Sequence, residues 1–208
     1  MAKMRVGPTG PDPHDSILRH LEMFWSADRI DEVHWTPGHV GDRLPNLHIA
    51  KISPESKRDR WTFATVGAWY GTRDSNHNLE FLAVAKSEAA SVMWDLALVA
   101  YYQAGPGANR LDVGHTIPIG QGWVDGSPLD HVLITLPYLW GTKMENLVTD
   151  GRHIRLLWVQ PIHAIEAEFR HKHGLEALES RFEEKRIDVL DPFRRPVVSR
   201  KDVERPEP

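Results

Sequence analysis

One stretch, residues 89–103, narrows the possible folds more than any other. Val92, Met93, Leu96, Val99 and Ala100 mark one helical face, while Trp94, Leu98, Tyr101 and Tyr102 cover much of the remainder. A helix that is apolar nearly all round is packed on more than one side. Ser87 is the expected N-cap, and Gly105-Pro106-Gly107 closes the segment. Such a helix needs partners, and the chain supplies short strands on either side of it. The candidates upstream are 32–36, 47–52, 61–68 and 79–86, bounded by Pro37-Gly38, Pro45-Asn46, Pro54 and Asp74-Ser75-Asn76. Downstream they are 111–117, 131–137, 143–148 and 153–160, with a Gly- and Pro-rich loop at 118–129.

Two further helices frame this core. Asp12-Pro13 reads as an N-cap followed by proline at the first helical position, and Ile17, Leu18, Leu21 and Phe24 make a stripe, which predicts a helix over 13–26. Ile162, Ile165 and Phe169 form a second stripe that Leu175, Leu178 and Phe182 repeat after Gly174, where a helix end or kink is expected. Strands in two runs, interrupted by helices, predict an α+β domain with a mixed, largely antiparallel sheet flanked by helices. The expected layout is a flexible N-terminus at 1–12, a single domain at 13–193 and a charged, disordered tail at 194–208, where Arg194, Arg195, Arg200 and Lys201 cluster without an acid among them. The sheet is expected to contain 61–68, 79–86, 131–137 and 153–160.

Composition then removes whole classes of chemistry. The chain contains no cysteine, so thiolate nucleophiles, disulfides and Cys-ligated metal sites are out. Its 25 basic and 29 acidic residues give a net charge of −4, without the basic surplus that phosphate neutralisation requires of a nucleic-acid binder. No signal peptide and no membrane-length apolar run is apparent, and a cytoplasmic protein is expected. The glycine pairs at 105–107 and 120–122 lack the Lys-Ser/Thr of a phosphate loop, and Ser127 lacks the second glycine of a nucleophile elbow. His163 and Glu166 at i, i+3 are the nearest approach to a metal motif, and Glu166 and Glu168 face apart on a helix. No cofactor and no metal are expected. Trp123 and Trp140 sit in glycine-flanked loops on either side of strand 131–137, as aromatic anchors of an interface would. They are the candidate partner-binding residues, lining a groove beside an edge strand, with the surface around Glu166, Arg170 and His173 as the substitute.

Several segments, taken in order, carry a resemblance. Phe63-Ala64-Thr65-Val66-Gly67 and Leu79-Glu80-Phe81-Leu82-Ala83-Val84 precede the helix bearing Leu96-Ala97-Leu98-Val99-Ala100-Tyr101. Gly114-His115-Thr116-Ile117-Pro118 follows, then Ser127-Pro128-Leu129 and Val132-Leu133-Ile134-Thr135-Leu136-Pro137. Leu157-Trp158-Val159-Gln160-Pro161-Ile162-His163 leads into Glu166-Ala167-Glu168-Phe169, the run 174–183 and Val189-Leu190-Asp191-Pro192. In that order and spacing, residues 30–193 resemble the suppressor of fused domain family in its stand-alone bacterial form. His163 and Ser91-Val92 depart from the family's usual residues.

The resemblance implies an α+β fold, no catalytic residues and a role in protein binding. The animal relative clasps a peptide of a transcription factor, and bacterial relatives are associated with toxin immunity. It also marks Gly114, His115, Thr116, Pro161, Glu166 and Gly174 as structural motif positions. His115 is expected to be a neutral, buried imidazole bonding the backbone of loop 118–129. The two readings carried forward are a non-catalytic module that sequesters a protein partner, as an immunity protein or a regulator, and a hydrolase or metal-dependent enzyme built on His115, Asp130 and His131.

Overall fold

The computed structural model describes residues 13–56, 59–75, 77–105 and 110–204. In chain order the elements are α1 (Pro13–Glu22), β1 (Ile30–His34), α2 (Val40–Arg43), β2 (His48–Ile52), β3 (Trp61–Val66), β4 (Asn78–Ala85), α3 (Ala90–Gln103), β5 (Thr116–Pro118), β6 (His131–Thr135), α4 (Thr142–Glu145), β7 (Asn146–Thr149), β8 (Arg152–Ile162), α5 (Ala164–Lys185) and α6 (Arg200–Glu204). The strands form one sheet in the order β1-β2-β3-β4-β8-β6-β5, with β7 pairing β8 beside β6. Only β4 and β8 run parallel; the other pairs are antiparallel. This is the expected α+β architecture, and the four strands placed in its sheet are neighbours in the order β3-β4-β8-β6.

Strand alternation assigns the layers, because successive side chains point to opposite faces. Ile49, Phe63, Phe81, Ala83, Leu157, Val159, Val132 and Ile134 face α3 in one continuous core cluster. Ala50, Ala64, Val66, Leu82, Ile154 and Leu156 face α1 on the other side. Farther along that side, Leu133 and Ile162 pack under Phe169, Leu178 and Phe182 of α5. Every residue of β4 is buried, as a central strand covered on both faces must be. Gly174 adopts φ 86°, ψ 170° and breaks α5 into two pieces, the expected kink.

Some expectations shift. The first helix stops at Glu22, short of residue 26, and the strand expected at 111–117 reduces to Thr116–Pro118. Residues 143–145, expected to open a strand at 143–148, instead belong to the helical turn α4. Ser87 does not cap α3, which begins after Ala89. The larger correction concerns 194–204. Arg194 is buried, Val198 and Val203 join the α5 cluster, and Arg200–Glu204 is helical, so this segment is part of the domain rather than a disordered tail. The expectations for 1–12 and 205–208 lie outside the described residues. None of the helices of the described residues is long and apolar enough to cross a membrane.

Candidate functional site

Residues 194–198 are drawn into the domain by Glu166, which is wholly buried in the first turn of α5. Its Oε1 and Oε2 each accept a 2.7 Å hydrogen bond from Arg194 in a bidentate pair. The backbone N–H groups of His163 and Val197 donate to the same carboxylate at 2.9 Å. Arg194 also reaches the carbonyl of Pro161, and its own carbonyl lies 2.9 Å from His163 Nε2. Glu166, Pro161 and His163 therefore form one structural junction rather than a metal site. Asp130, in the loop that leads into β6, completes it by accepting the N–H of Ala164 at 3.0 Å at the start of α5. Glu168 points elsewhere and pairs with Arg200.

The two predicted anchors separate. Trp123 is buried in the α3-side cluster, although it also forms one wall of a pocket of about 440 Å³ beside the start of α3. Trp140 packs on the opposite face, edge-on to Trp25 at 5.9 Å and to Trp158 at 6.3 Å. They cannot line one groove, because the sheet stands between them. His115 is exposed and its Nδ1 meets the backbone of Asp112, not the loop 118–129. That corrects the expectation of a buried imidazole: the four-residue turn 112–115, closed by His115 N–H to the Asp112 carbonyl, lifts the ring off the sheet. Gly114, at φ +92°, lets Arg170 approach so closely that a Cβ would lie 2.8 Å from its Nη2. Thr116 opens β5 opposite Leu133.

The hydrolase set does not assemble. His131 Nδ1 lies 2.9 Å from Asp130, but Asp130 is committed to α5. His115 pairs with Ile134 and Pro118 with His131, so His115 and His131 are about 10 Å apart along the ladder. Ser127 donates to the carbonyl of Pro192 at 2.6 Å and ties down a loop.

What the structure does assemble is a groove that the sequence did not single out. Trp158 and Gln160 share the face of Leu156 and Ile162, yet Trp158 belongs to neither cluster on that face. Over this seam lies a groove of about 380 Å³, walled by Tyr138, Phe182, Ile187 and Val189 and rimmed by Glu179, Glu183 and Arg186. Glu179 is held at the rim by Tyr138 and Thr135, whose hydroxyls donate to its Oε1 at 3.1 and 3.3 Å. Burial and the Glu179 charge raise the pKa of Tyr138, so its phenol stays protonated as the donor. The indole N–H of Trp158 is buried without a hydrogen-bond partner. Tyr138 is 57% exposed, on a segment that bulges out between β6 and β7.

Besides Glu166, two more buried carboxylates, Glu80 and Asp95, lie outside the groove. Glu80 accepts from Thr65 and from the N–H groups of Gly67 and Trp69, yet burial still pushes it up to about 7. Asp95, on α3, meets hydrogen-bond geometry with neither oxygen; burial raises it to about 8 and the Gln121 amide offsets only part of that.

Comparison with known proteins places this architecture. The family profile described as Suppressor of fused protein (SUFU) matches residues 43–195. The crystal structure of a SUFU homolog from Neisseria gonorrhoeae FA 1090 superposes with a TM-score of 0.80 at 29% identity, covering 91% of this chain and 98% of that one. Drosophila Suppressor of Fused shares the fold at 13% identity, with a TM-score of 0.67 over 88% of this chain and 48% of its own length. So does the Sufu–Fu complex, at 13% identity and a TM-score of 0.66, over 90% of this chain and 93% of the other. The immunity protein YqcF of Bacillus subtilis (strain 168) is 31% identical over 70 residues, 34% of this chain and 36% of that protein. The alignment thus spans about a third of that curated relative. Matched in sequence from the first helical turn after β1 to the Arg194 junction, the chain belongs to the suppressor of fused family.

Proposed function

We propose that this protein is a non-catalytic module that binds and sequesters a protein partner through the groove over Trp158, in the manner of a toxin-immunity protein. The observation that carries the reading is the pairing of an apolar floor with a rim on which two carboxylates, Glu179 and Glu183, outnumber the single guanidinium of Arg186. Such a groove suits an extended partner segment whose aromatic or aliphatic side chain is flanked by Lys or Arg. The net charge of −4 favours encounter with a basic partner. The name of the Bacillus relative and a family fold seen in a complex with a protein support the same class of function.

Selection from a displayed peptide library tests this. The expected winners combine an aromatic or aliphatic residue with adjacent Lys or Arg, and they lose at least about tenfold in affinity against Glu183→Arg, the scale of one desolvated charge contact. Binding should also weaken as salt rises. Winners without basic residues, or binding indifferent to both Glu183→Arg and Tyr138→Ala, would remove the groove from consideration.

A further inference from the structure

A second cluster lies at the other edge of the sheet. Glu32 and His34 share one face of β1, and His34 pairs in register with His48 of β2. The first turn of α1 lays His14 over the same spot. His14 Nε2 stands 3.1 and 3.0 Å from the two oxygens of Glu32, and His48 Nε2 stands 3.6 Å from Oε1. Ligand atoms of the three residues lie within 4.8 Å of one another, and each side chain is about a quarter exposed. Among the described residues this is the group of His, Cys, Asp and Glu that converges so closely.

Hydrogen bonding fixes which atoms are offered. His48 Nδ1 lies 3.1 Å from the carbonyl of Asn46. A carbonyl can only accept, so Nδ1 carries the proton and the neutral ring presents the Nε2 lone pair toward the Glu32 carboxylate. Two lone-pair-bearing atoms facing each other call for a positive species between them, either a second proton or a metal ion. A backbone carbonyl on the remote nitrogen is also how a metal-binding imidazole is oriented. His34 supports the arrangement: its ring lies 4.9 Å from that of His48, and its Nε2 is tied to the carbonyl of Pro45 at 3.0 Å.

The geometry points to a site for a borderline divalent transition metal, zinc foremost, held by His14 Nε2, His48 Nε2 and the Glu32 carboxylate, with a fourth position open to water. Two imidazoles and one carboxylate fit zinc and its neighbours rather than Mg²⁺ or Ca²⁺, which prefer oxygen throughout. Ligand atoms bound at about 2.1 Å to a tetrahedral ion sit about 3.4 Å apart. Glu32 Oε1 stands 3.1 Å from His14 Nε2 and 3.6 Å from His48 Nε2, which bracket that spacing, and the third pair lies within 4.8 Å, so rotamer adjustments close the site. The sequence suggested no metal because its three ligands come from α1, β1 and β2, without a short motif. Bound there, the ion would fasten α1 to the terminal strand of the sheet, far in strand order from the Trp158 groove and independent of it.

Zinc titration of tag-free, chelator-stripped protein tests the assignment, with affinity read by competition against a chromophoric chelator. One ion per chain is expected, with a rise in melting temperature that follows zinc concentration. His48→Gln and Glu32→Gln should each weaken binding by at least about tenfold while leaving the metal-free melting curve in place. His14→Gln serves if either of these fails to fold, and His171→Gln, away from the cluster, should leave affinity unchanged. Absence of binding at about 100 µM zinc, or binding that survives both His48→Gln and Glu32→Gln, overturns the site; that concentration corresponds to an affinity weaker than about −5.5 kcal/mol.

Discussion

The two faces of the sheet solve the same packing problem differently. On the α3 face one cluster runs unbroken from Ile49 to Ile134, and Trp123 folds down over its end. On the other face α1 and α5 cover separate ends, and Trp158 and Gln160 lie in the interval between their clusters. A single central helix closes the middle of its face and leaves a pocket only beside its own start. Two helices that meet the sheet apart leave a seam, and the seam is where an apolar floor can reach solvent. The difference also explains the buried charges. On the α5 side Glu166 has four donors, whereas Asp95 on the α3 side has no hydrogen bond within geometry.

This contrast can be broken most sharply at Arg194. Arg194→Ala leaves the Glu166 carboxylate buried with its countercharge gone, and should cost about 3–5 kcal/mol in urea unfolding. A loss under about 1 kcal/mol would show that 194–204 does not hold the α5 layer in place.

The next effect belongs to the α3 face and depends on pH. Asp95 has its folded pKa raised from 3.8 to about 8, so between those values the folded chain binds a proton that the unfolded chain has released. Stability contributed by this group is therefore greatest below pH 4 and falls as pH rises through the window. Glu80, raised from 4.5 to about 7, acts in the same direction. Relative to the parent, Asp95→Asn should gain stability as pH rises from 4 to 8, by on the order of a few kcal/mol, because the amide has no proton to lose in the buried site. A variant whose pH profile parallels the parent would mean that water reaches Asp95. The smallest effect is expected at Tyr138, whose exposed ring serves the groove and not the core. Tyr138→Ala should change stability by less than about 1 kcal/mol, so a binding defect in it is a defect of the surface.

Period-two alternation made β3, β4, β6 and β8 legible, and the all-round apolar texture of 89–103 correctly placed α3 at the centre of a layered domain. The sites were harder to read. Trp123 and Trp140 flank one strand in sequence, but nothing local says that their loops fold onto opposite faces. Arg194 looked like part of a solvated basic run, since its partner Glu166 is 28 positions away. The overlooked signal was the apolar pair Val197-Val198 inside that run, together with Val203, which a solvated tail has no reason to carry. The groove was invisible for a different reason. It is made by the absence of contact between two clusters, and a residue pattern records contacts that form, not intervals that remain.

Hydrogen–deuterium exchange, comparing the protein alone with the protein bound to a library-selected basic-aromatic peptide, tests the groove most directly. Slowed exchange is predicted across 136–140 and 179–189, with α3 and the β1–β2 edge unchanged. Protection confined to 90–103, or to 30–34 and 48–52, would contradict the account.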